Sequence, residues 1–270
     1  MKKRCFGALI TMFCVLFLAT GSLSGCAKKD PGAEENLPVL KIGSDEYPPY
    51  FYIDEYGKFN GIDVELATEV CRRIGYRAEF LKIDWARKDG YLKENAVDCL
   101  WGSFSMTGRE DAYLWSGPYL KSRQVVVVKN DSDILTLSDL AGKCVGVQTT
   151  TKPDEIFSSG AYNLKELYCL PKVEDVFAAL RKGYVNAVAG HEMALKEYIR
   201  QTGNSGRYRV LDEALVEVQL GVAFYKEGDA ALSSKVTAAL LAMEQDGFTA
   251  GIARKYGMDF KVTEVSGRVV

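Results

Sequence analysis

The chain alternates short apolar segments with amphipathic helical segments, and this alternation restricts the folds available to it. Apolar runs bounded by turn residues predict strands, whereas apolar residues at helical spacing predict the segments between them. In the first half, strands are predicted at 39–43, 78–83 and 97–101, with helices at 61–74 and 87–95. Strands that alternate with helices pair in parallel and carry the helices on the faces of their sheet. The first half therefore predicts one α/β unit.

A second unit of the same kind follows a buried strand predicted at 124–128. Further strands are predicted at 144–147, 164–170, 187–189 and 218–224, and further helices at 173–182, 192–201, 230–245 and 248–256. Two α/β units joined by two crossing strands predict two lobes with a ligand cleft between them, at the carboxyl ends of the strands. We predict that residues 38–128 and 220–270 form lobe 1 and that residues 129–219 form lobe 2. The crossings, near Val127–Asn130 and Gln219–Val222, would be the hinges.

The N-terminal segment predicts export from the cytoplasm. Lys2-Lys3-Arg4 precedes an apolar run at 6–19 that is too short and too interrupted for a stable membrane span. Leu23-Ser24-Gly25-Cys26 then matches the bacterial lipoprotein pattern, in which small residues precede a cysteine that receives lipid. We predict a signal peptide at 1–25, lipidation of Cys26, a flexible tether at 26–37 and an extracytoplasmic protein anchored to the cell membrane. An ordinary signal peptide with an incidental cysteine is the alternative.

Charge and cysteine content exclude several classes of partner. The formal net charge is −2, and removing the three cations of the signal peptide leaves −5, with no basic block that would bind nucleic acid. Cys71, Cys99, Cys144 and Cys169 remain, without the CxxC or Cys/His spacing of a metal site. They could form two disulfides, but their positions in or beside regular elements favour buried free thiols. We predict neither a metal nor a cofactor.

Four segments of the chain, in order and spacing, carry the pattern of one protein family. They are Ile42-Gly43-Ser44-Asp45-Glu46-Tyr47-Pro48-Pro49-Tyr50 with 57–67, Trp101-Gly102-Ser103-Phe104-Ser105-Met106-Thr107-Gly108-Arg109, Trp115-Ser116-Gly117-Pro118-Tyr119, and Leu137-Ser138-Asp139-Leu140-Ala141-Gly142 with Val145-Gly146-Val147-Gln148. Through them the chain resembles the family 3 solute-binding proteins of importers for polar amino acids. The resemblance implies a two-lobed, type II periplasmic-binding-protein-like α/β fold. It also implies a monomer without enzymatic activity, which captures an amino acid by lobe closure and delivers it to an ATP-binding-cassette permease.

The same resemblance assigns ligand contacts, which elementary chemistry explains. A free amino acid needs partners for its carboxylate and its ammonium once it leaves water. Arg109 matches the residue that clamps the α-carboxylate, because a planar guanidinium can form two parallel charge-assisted hydrogen bonds. The other matched positions are Asp45 for the ammonium in some members, Tyr47 and Trp85 as flanking rings, Gly102, Ser103 and Ser105 for donors and close approach, and Gln148, Thr149, Thr150 and Thr151 in the turn of the second lobe.

The chain departs from the family pattern most clearly at His191, its only histidine. The family has an acidic residue there, which pairs with the ligand ammonium. Neutral imidazole can accept a hydrogen bond from ammonium, so affinity is expected to fall as pH drops through the pKa of His191, which is near 6.5 if unperturbed. A ligand with a second carboxylate near His191 would reverse that slope. In addition, Thr107-Gly108-Arg109 is one residue shorter than usual, and Thr149-Thr150-Thr151 lacks the usual glycine.

Two other functions are compatible with this fold. A dehydratase of the cyclohexadienyl type would need a general acid placed at the leaving group, and no paired catalytic carboxylates stand out among the candidate residues. A sensor that signals through a membrane partner is the second possibility. A predicted lipid anchor without a signalling segment favours import over sensing.

Overall fold

The computed structural model describes residues 36–258, in which strands and helices alternate. The strands are Val39–Ser44 (β1), Tyr52–Ile53 (β2), Phe59–Asn60 (β3), Arg77–Lys82 (β4), Cys99–Leu100 (β5), Leu114–Lys129 (β6), Cys144–Gln148 (β7), Glu166–Leu170 (β8), Ala187–His191 (β9) and Tyr208–Phe224 (β10). The helices are Ile62–Ile74 (α1), Lys88–Lys93 (α2), Lys152–Ser158 (α3), Val173–Lys182 (α4), Glu192–Gln201 (α5), Ala230–Gln245 (α6) and Phe248–Lys255 (α7). Two 3₁₀ turns lie at Trp85–Arg87 and Leu137–Leu140.

Eight of these strands form one sheet in the order β4-β1-β5-β10-β6-β9-β7-β8. β1 pairs in parallel with β4 and β5, and β7 pairs in parallel with β8 and β9. The antiparallel pair of β6 and β10 lies between these two parallel sets. We call the half around β1, β4 and β5 the first lobe and the half around β7, β8 and β9 the second lobe. The predicted two-lobed α/β fold is confirmed.

The helix predictions follow from how apolar residues are spaced. In α1, Ile62, Leu66 and Val70 recur at helical intervals, and all three side chains are fully buried. Burying an aliphatic side chain of this size contributes about 1.5–3 kcal/mol to folding. Gly75 ends the helix with a φ of 74°, a left-handed conformation that glycine adopts without a steric penalty. The bounds of α4, α5 and α6 are those predicted.

The strands β6 and β10 are much longer than the predicted segments at 124–128 and 218–224. Residues 124–128 and 220–224 are continuously buried, whereas the rest of the two strands mixes buried, half-buried and exposed residues. Polar residues in the half-buried stretches break the apolar run from which a strand is predicted. The short β2–β3 hairpin was also not predicted, because two-residue strands carry no periodic signal.

The lobes are connected where β6 changes partners. β6 pairs with β10 over most of its length and pairs with β9 from Gln124 to Val128. The register of β6 against β10 shifts between Leu220 and Val222. An added Cβ at Gly221 would lie 2.4 Å from the Sδ of Met106, so the strand passes close to the loop after β5. The lobe boundaries at 128 and 219 stay predictions, and the pairing favours a first crossing near Gln124.

The four cysteines within residues 36–258 are free thiols in this structure. Cys71 and Cys99 are buried and Cys144 is half-buried, in line with the expectation. Cys169 is exposed, so the expected burial is wrong there. Its strand, β8, is the last strand of the sheet, which leaves one side of it open to solvent.

Two N-terminal predictions lie outside the described residues. The signal peptide at 1–25 and the lipid site Cys26 precede residue 36, as does all of the tether except its last two residues. Within residues 36–258, no helix has the length and apolar character needed to cross a bilayer.

Candidate functional site

A cleft lies between the lobes at the carboxyl ends of the strands, with an empty volume of about 310 Å³ including its mouth. The first lobe lines it with Asp45, Tyr47, Trp85, Gly102, Ser103, Phe104, Ser105 and Arg109, and the second with Gln148, Thr151, Lys152 and His191. The structure thus brings together ten of the twelve predicted contact residues and leaves Thr149 and Thr150 out of the lining. Ser44, Gln148 and His191 end β1, β7 and β9, which explains how distant segments converge here.

Arg109 carries a guanidinium into this cleft, and its side chain is only 9% exposed. The Nε donates to Oε1 of Glu155 at 2.5 Å, and an Nη donates both to the same carboxylate and to the carbonyl oxygen of Thr150 at 3.3 Å. The Cζ lies 5.0 Å from the centroid of the Phe104 ring. Glu155 and Thr150 belong to the second lobe, so Arg109 bridges the cleft. A guanidinium that already holds one carboxylate has the geometry to hold another.

The loop after β5 packs closely against neighbouring residues where it reaches the cleft. Ser103 has a φ of 47°, which is uncommon for a residue with a side chain, and its amide donates to Oδ2 of Asp63 at 2.6 Å. Burial raises the pKa of Asp63 to about 7. An added Cβ at Gly102 would lie 1.9 Å from Oγ of Ser44, so this position requires glycine. Ser105 accepts a 3.4 Å hydrogen bond from Nε2 of Gln124. Asp63 therefore positions the loop that carries the serines.

Asp45 and Gln148 meet across the cleft. The Nε2 of Gln148 donates to Oδ2 of Asp45 at 2.6 Å and to the carbonyl oxygen of Pro171 at 3.1 Å. Burial raises the pKa of Asp45 to about 7, although the hydrogen bond from Gln148 acts in the opposite direction. Near neutral pH this carboxyl group is therefore present in both its protonated and its ionised form. An ionised Asp45 can accept hydrogen bonds from an ammonium in the cleft.

His191 is held in the wall of the cleft as a neutral ring. Its Nδ1 lies 2.9 Å from Oγ of Ser122, its Nε2 lies 2.9 Å from Nε2 of Gln124, and its amide donates to the hydroxyl of Tyr47 at 3.3 Å. Burial and the nearby charge of Arg109 lower the pKa of His191 to about 3. The value near 6.5 was expected for an unperturbed histidine and does not apply to this buried ring. The buried ring is shielded from water by both lobes, which the sequence pattern did not reveal.

The three threonines of the second lobe differ from one another. The amide of Thr149 donates to the carbonyl oxygen of Leu170 at 2.9 Å, and that of Thr150 donates to Oδ2 of Asp154 at 2.7 Å. Both amides are thus engaged within the second lobe. Thr150 has a φ of 58° and contributes its carbonyl oxygen to Arg109. Thr151 alone lines the cleft, and its hydroxyl donates to the carbonyl oxygen of Gln148 at 2.6 Å.

Two further residues line the cleft that were not predicted from the sequence, Phe104 and Lys152. Phe104 lies within the family segment at 101–109. It packs edge-to-face on Trp85, which was predicted to contact the ligand, with ring centroids 5.0 Å apart. Lys152 donates to Oε2 of Glu155 at 3.0 Å, and an added Cβ at Gly108 would lie 2.7 Å from its Nζ. The glycine in the short Thr107-Gly108-Arg109 segment thus makes room for Lys152. Only the tertiary fold brings these two segments together.

Comparison with known families places most of the chain in one of them. The model of the bacterial extracellular solute-binding proteins, family 3, matches residues 40–259. The chain belongs to this family. The predicted resemblance is confirmed, and a family 3 protein is extracytoplasmic.

Individual relatives agree with the family assignment. The family 3 chain is 26% identical to the L-cystine-binding protein TcyA of Bacillus subtilis over 95% of its own length and 97% of that relative. It is 30% identical to the histidine-binding periplasmic protein of Escherichia coli K12 over 83% of its length and 88% of that relative. A solved structure of an ancestral arginine-binding protein bound to arginine superposes with a TM-score of 0.75 at 28% identity, covering 81% of this chain and 98% of the other.

Proposed function

We propose that this protein binds a free amino acid in the cleft, with Arg109 holding the α-carboxylate. The observation that carries the proposal is the nearly buried guanidinium of Arg109, which already holds the carboxylate of Glu155 across the cleft. Charge-assisted bonds to a desolvated guanidinium are strong and directional, so a ligand carboxylate can compete for this position. The names of the relatives, which refer to amino acids, support the same ligand class.

The remaining groups of the cleft suit the rest of an amino acid. Asp45, in its ionised form, would accept hydrogen bonds from the ammonium, with Gln148 holding the carboxylate in place. Ser103, Ser105 and Thr151 supply hydroxyl groups around the backbone of the ligand, while Tyr47 and Trp85 flank it. Contacts come from both lobes, so binding would favour the closed arrangement.

The proposed physiological role is import. The protein would deliver its amino acid to an ATP-binding-cassette permease while a lipid on Cys26 anchors it to the cell membrane. It would act as a monomer without cofactor, as expected from the family resemblance. A dehydratase remains the alternative, since Asp45 is a cleft acid whose pKa, raised to about 7, suits proton transfer. Recovery of a bound amino acid chemically unchanged after prolonged incubation, checked by NMR, would support binding over catalysis.

Substitution of Arg109 tests the proposed ligand contact. The test compares wild type, Arg109→Met and Arg109→Lys by calorimetric titration with the twenty common amino acids. Arg109→Met should weaken binding of the best ligand by about a hundredfold or more, because removing one partner of a desolvated charge pair costs about 3–5 kcal/mol. Arg109→Lys should restore only part of the affinity, since an ammonium lacks the planar fork.

A matched control separates this effect from a general loss of positive charge. Arg200 pairs with Glu197 on the exposed surface of α5, and its side chain is 70% exposed. Arg200→Met should leave affinity unchanged. Undiminished affinity in Arg109→Met would place the carboxylate elsewhere and overturn the proposal.

A further inference from the structure

Lys88, the first residue of α2, is a buried cation beside the cleft to which the proposed function gives no role. The residue is only 4% exposed. Its Nζ lies 5.4 Å from the centroid of the Trp85 ring and 5.8 Å from that of Phe104. Both rings line the cleft, so the ammonium of Lys88 lies close to it.

No acidic side chain forms an ion pair with Lys88 within residues 36–258. Lys88 has neither a carboxylate within 4.0 Å nor a hydrogen bond to its Nζ, and the two rings are its close contacts. Burial lowers its pKa below the ordinary value. The other charges that act on it are Asp89 on its own helix and three groups around the cleft, Arg109, Glu155 and Asp45. Burying a lysine without an ion-pair partner is costly, and an anion that arrives with the ligand would offset this cost.

When the charged groups of the cleft and the ligand are assigned ion-pair partners, Lys88 has none. Arg109 takes the α-carboxylate in the proposed function, and Asp45 takes the ammonium. Glu155, once released by Arg109, keeps its 3.0 Å hydrogen bond from Lys152. The family position that would add a second acid for the ammonium is the histidine His191. Lys88 therefore has no ion-pair partner when a neutral amino acid is bound, although Asp89 acts on it from its own helix.

We propose that the ligand is an amino acid with an anionic side chain and that Lys88 determines this specificity by binding the side-chain anion. The proposal rests on the proposed function and names the ligand class for the same cleft. Aspartate and glutamate carry a carboxylate of the required charge. Their amides are nearly the same in shape but would leave the buried ammonium unpaired, and a site selects strongly against a ligand that leaves its polar groups without partners.

The test measures selectivity by calorimetric titration of the purified full chain. L-aspartate and L-glutamate are compared with L-asparagine and L-glutamine, using wild type, Lys88→Met, Lys88→Arg and Lys93→Met. We expect wild type to bind at least one acidic amino acid ten times or more tightly than its amide. Lys88→Met should lose this preference, whereas Lys88→Arg should retain it. Lys93 is an exposed lysine on the same helix, and Lys93→Met should behave like wild type.

The selectivity of wild type decides the question even where Lys88→Met does not fold. Equal or tighter binding of both amides, or of a neutral or basic amino acid, would overturn the inference about Lys88. Retained selectivity in a folded Lys88→Met variant would also overturn it. In both cases a dependence on Arg109 would leave the proposed function standing. Absence of binding by any common amino acid would instead overturn the proposed function, and the inference with it.

Discussion

At the scale of single residues, the group that titrates near neutral pH is Asp45 and not His191. The lone histidine stood at the position of an acid and was expected to titrate near neutral pH. The fold buries it between the lobes beside Arg109 and lowers its pKa to about 3, so it stays neutral. The same burial raises the pKa of Asp45 to about 7. Desolvation disfavours the charged form of both groups, which moves an acid up and a base down.

Asp45 should therefore govern the pH dependence of binding. A ligand ammonium favours the ionised carboxylate, so binding below pH 7 should release a proton from Asp45, and affinity should rise as pH increases from 5 to about 7. Above that pH the carboxylate is already ionised and the affinity should level off. Calorimetric titrations at pH 6, in buffers of different ionisation enthalpy, measure the number of protons released.

The Asp45→Asn variant is the control for this assignment. It should bind more weakly and release no proton at pH 6, because an amide does not ionise in this range. His191→Gln should preserve the proton release of wild type. A release that persists in Asp45→Asn and disappears in His191→Gln would reverse the assignment.

At the scale of elements, α3 carries a carboxylate that competes with the proposed ligand. Glu155 is bound to Arg109 and to Lys152, and its side chain is 43% exposed. A ligand carboxylate must replace it at Arg109. Glu155→Gln should therefore strengthen amino-acid binding by roughly fivefold, since an exposed ion pair is worth up to about 1 kcal/mol. Calorimetric titration with the best ligand of wild type measures the change.

An equivalent substitution elsewhere controls for the lost negative charge. Glu197→Gln removes a carboxylate from the surface pair with Arg200 and should leave the affinity as it is. Weaker binding in Glu155→Gln would mean that Glu155 contributes to the bound state rather than opposing it.

The elements also show what the sequence could predict. The apolar spacing of α4, α5 and α6 is regular and complete within each helix, so their bounds follow from the sequence alone. β6 and β10 run past the buried ends that gave the signal, because their polar halves are stabilised by pairing with each other. The same distinction between local signals and tertiary contacts holds for the candidate site. Contacts within the family segments, such as Ser103 and Arg109, were predicted, whereas Lys88 and Glu155 gain their positions only from the packing of separate segments.

At the scale of the whole molecule, the two lobes are joined by two strands and meet through polar contacts. Asp45 with Gln148, Arg109 with Glu155, and Tyr47 with the amide of His191 all cross the cleft. A ligand that contacts both lobes should shift the population toward this closed arrangement. Small-angle X-ray scattering should show a smaller radius of gyration with saturating ligand. Arg109→Met should show no decrease at that ligand concentration, and an unchanged radius in wild type would contradict closure.

The membrane attachment of the molecule is predicted from its N-terminal sequence. Cys26→Ser should release the protein from the membrane without changing its affinity for the amino acid, because the cleft lies entirely within residues 45–191. Cell fractionation with immunoblotting measures the release, and titration of the released protein measures the affinity. A Cys26→Ser protein that stays at the membrane after signal cleavage would contradict lipidation at this residue.

The aromatic residues around Arg109 have one more consequence. The chain has three tryptophans, and all of them lie in the first lobe. Trp85 lines the cleft beneath the ammonium of Lys88. Trp115 packs on Phe104 at 5.2 Å, and its indole nitrogen donates to the carbonyl oxygen of Arg109 at 2.9 Å. Indole emission responds to nearby charge, so the arrival of the proposed ligand anion would change the field at two fluorophores at once. The protein would thus carry an intrinsic optical reporter of its own occupancy, and no dye would be required to read it.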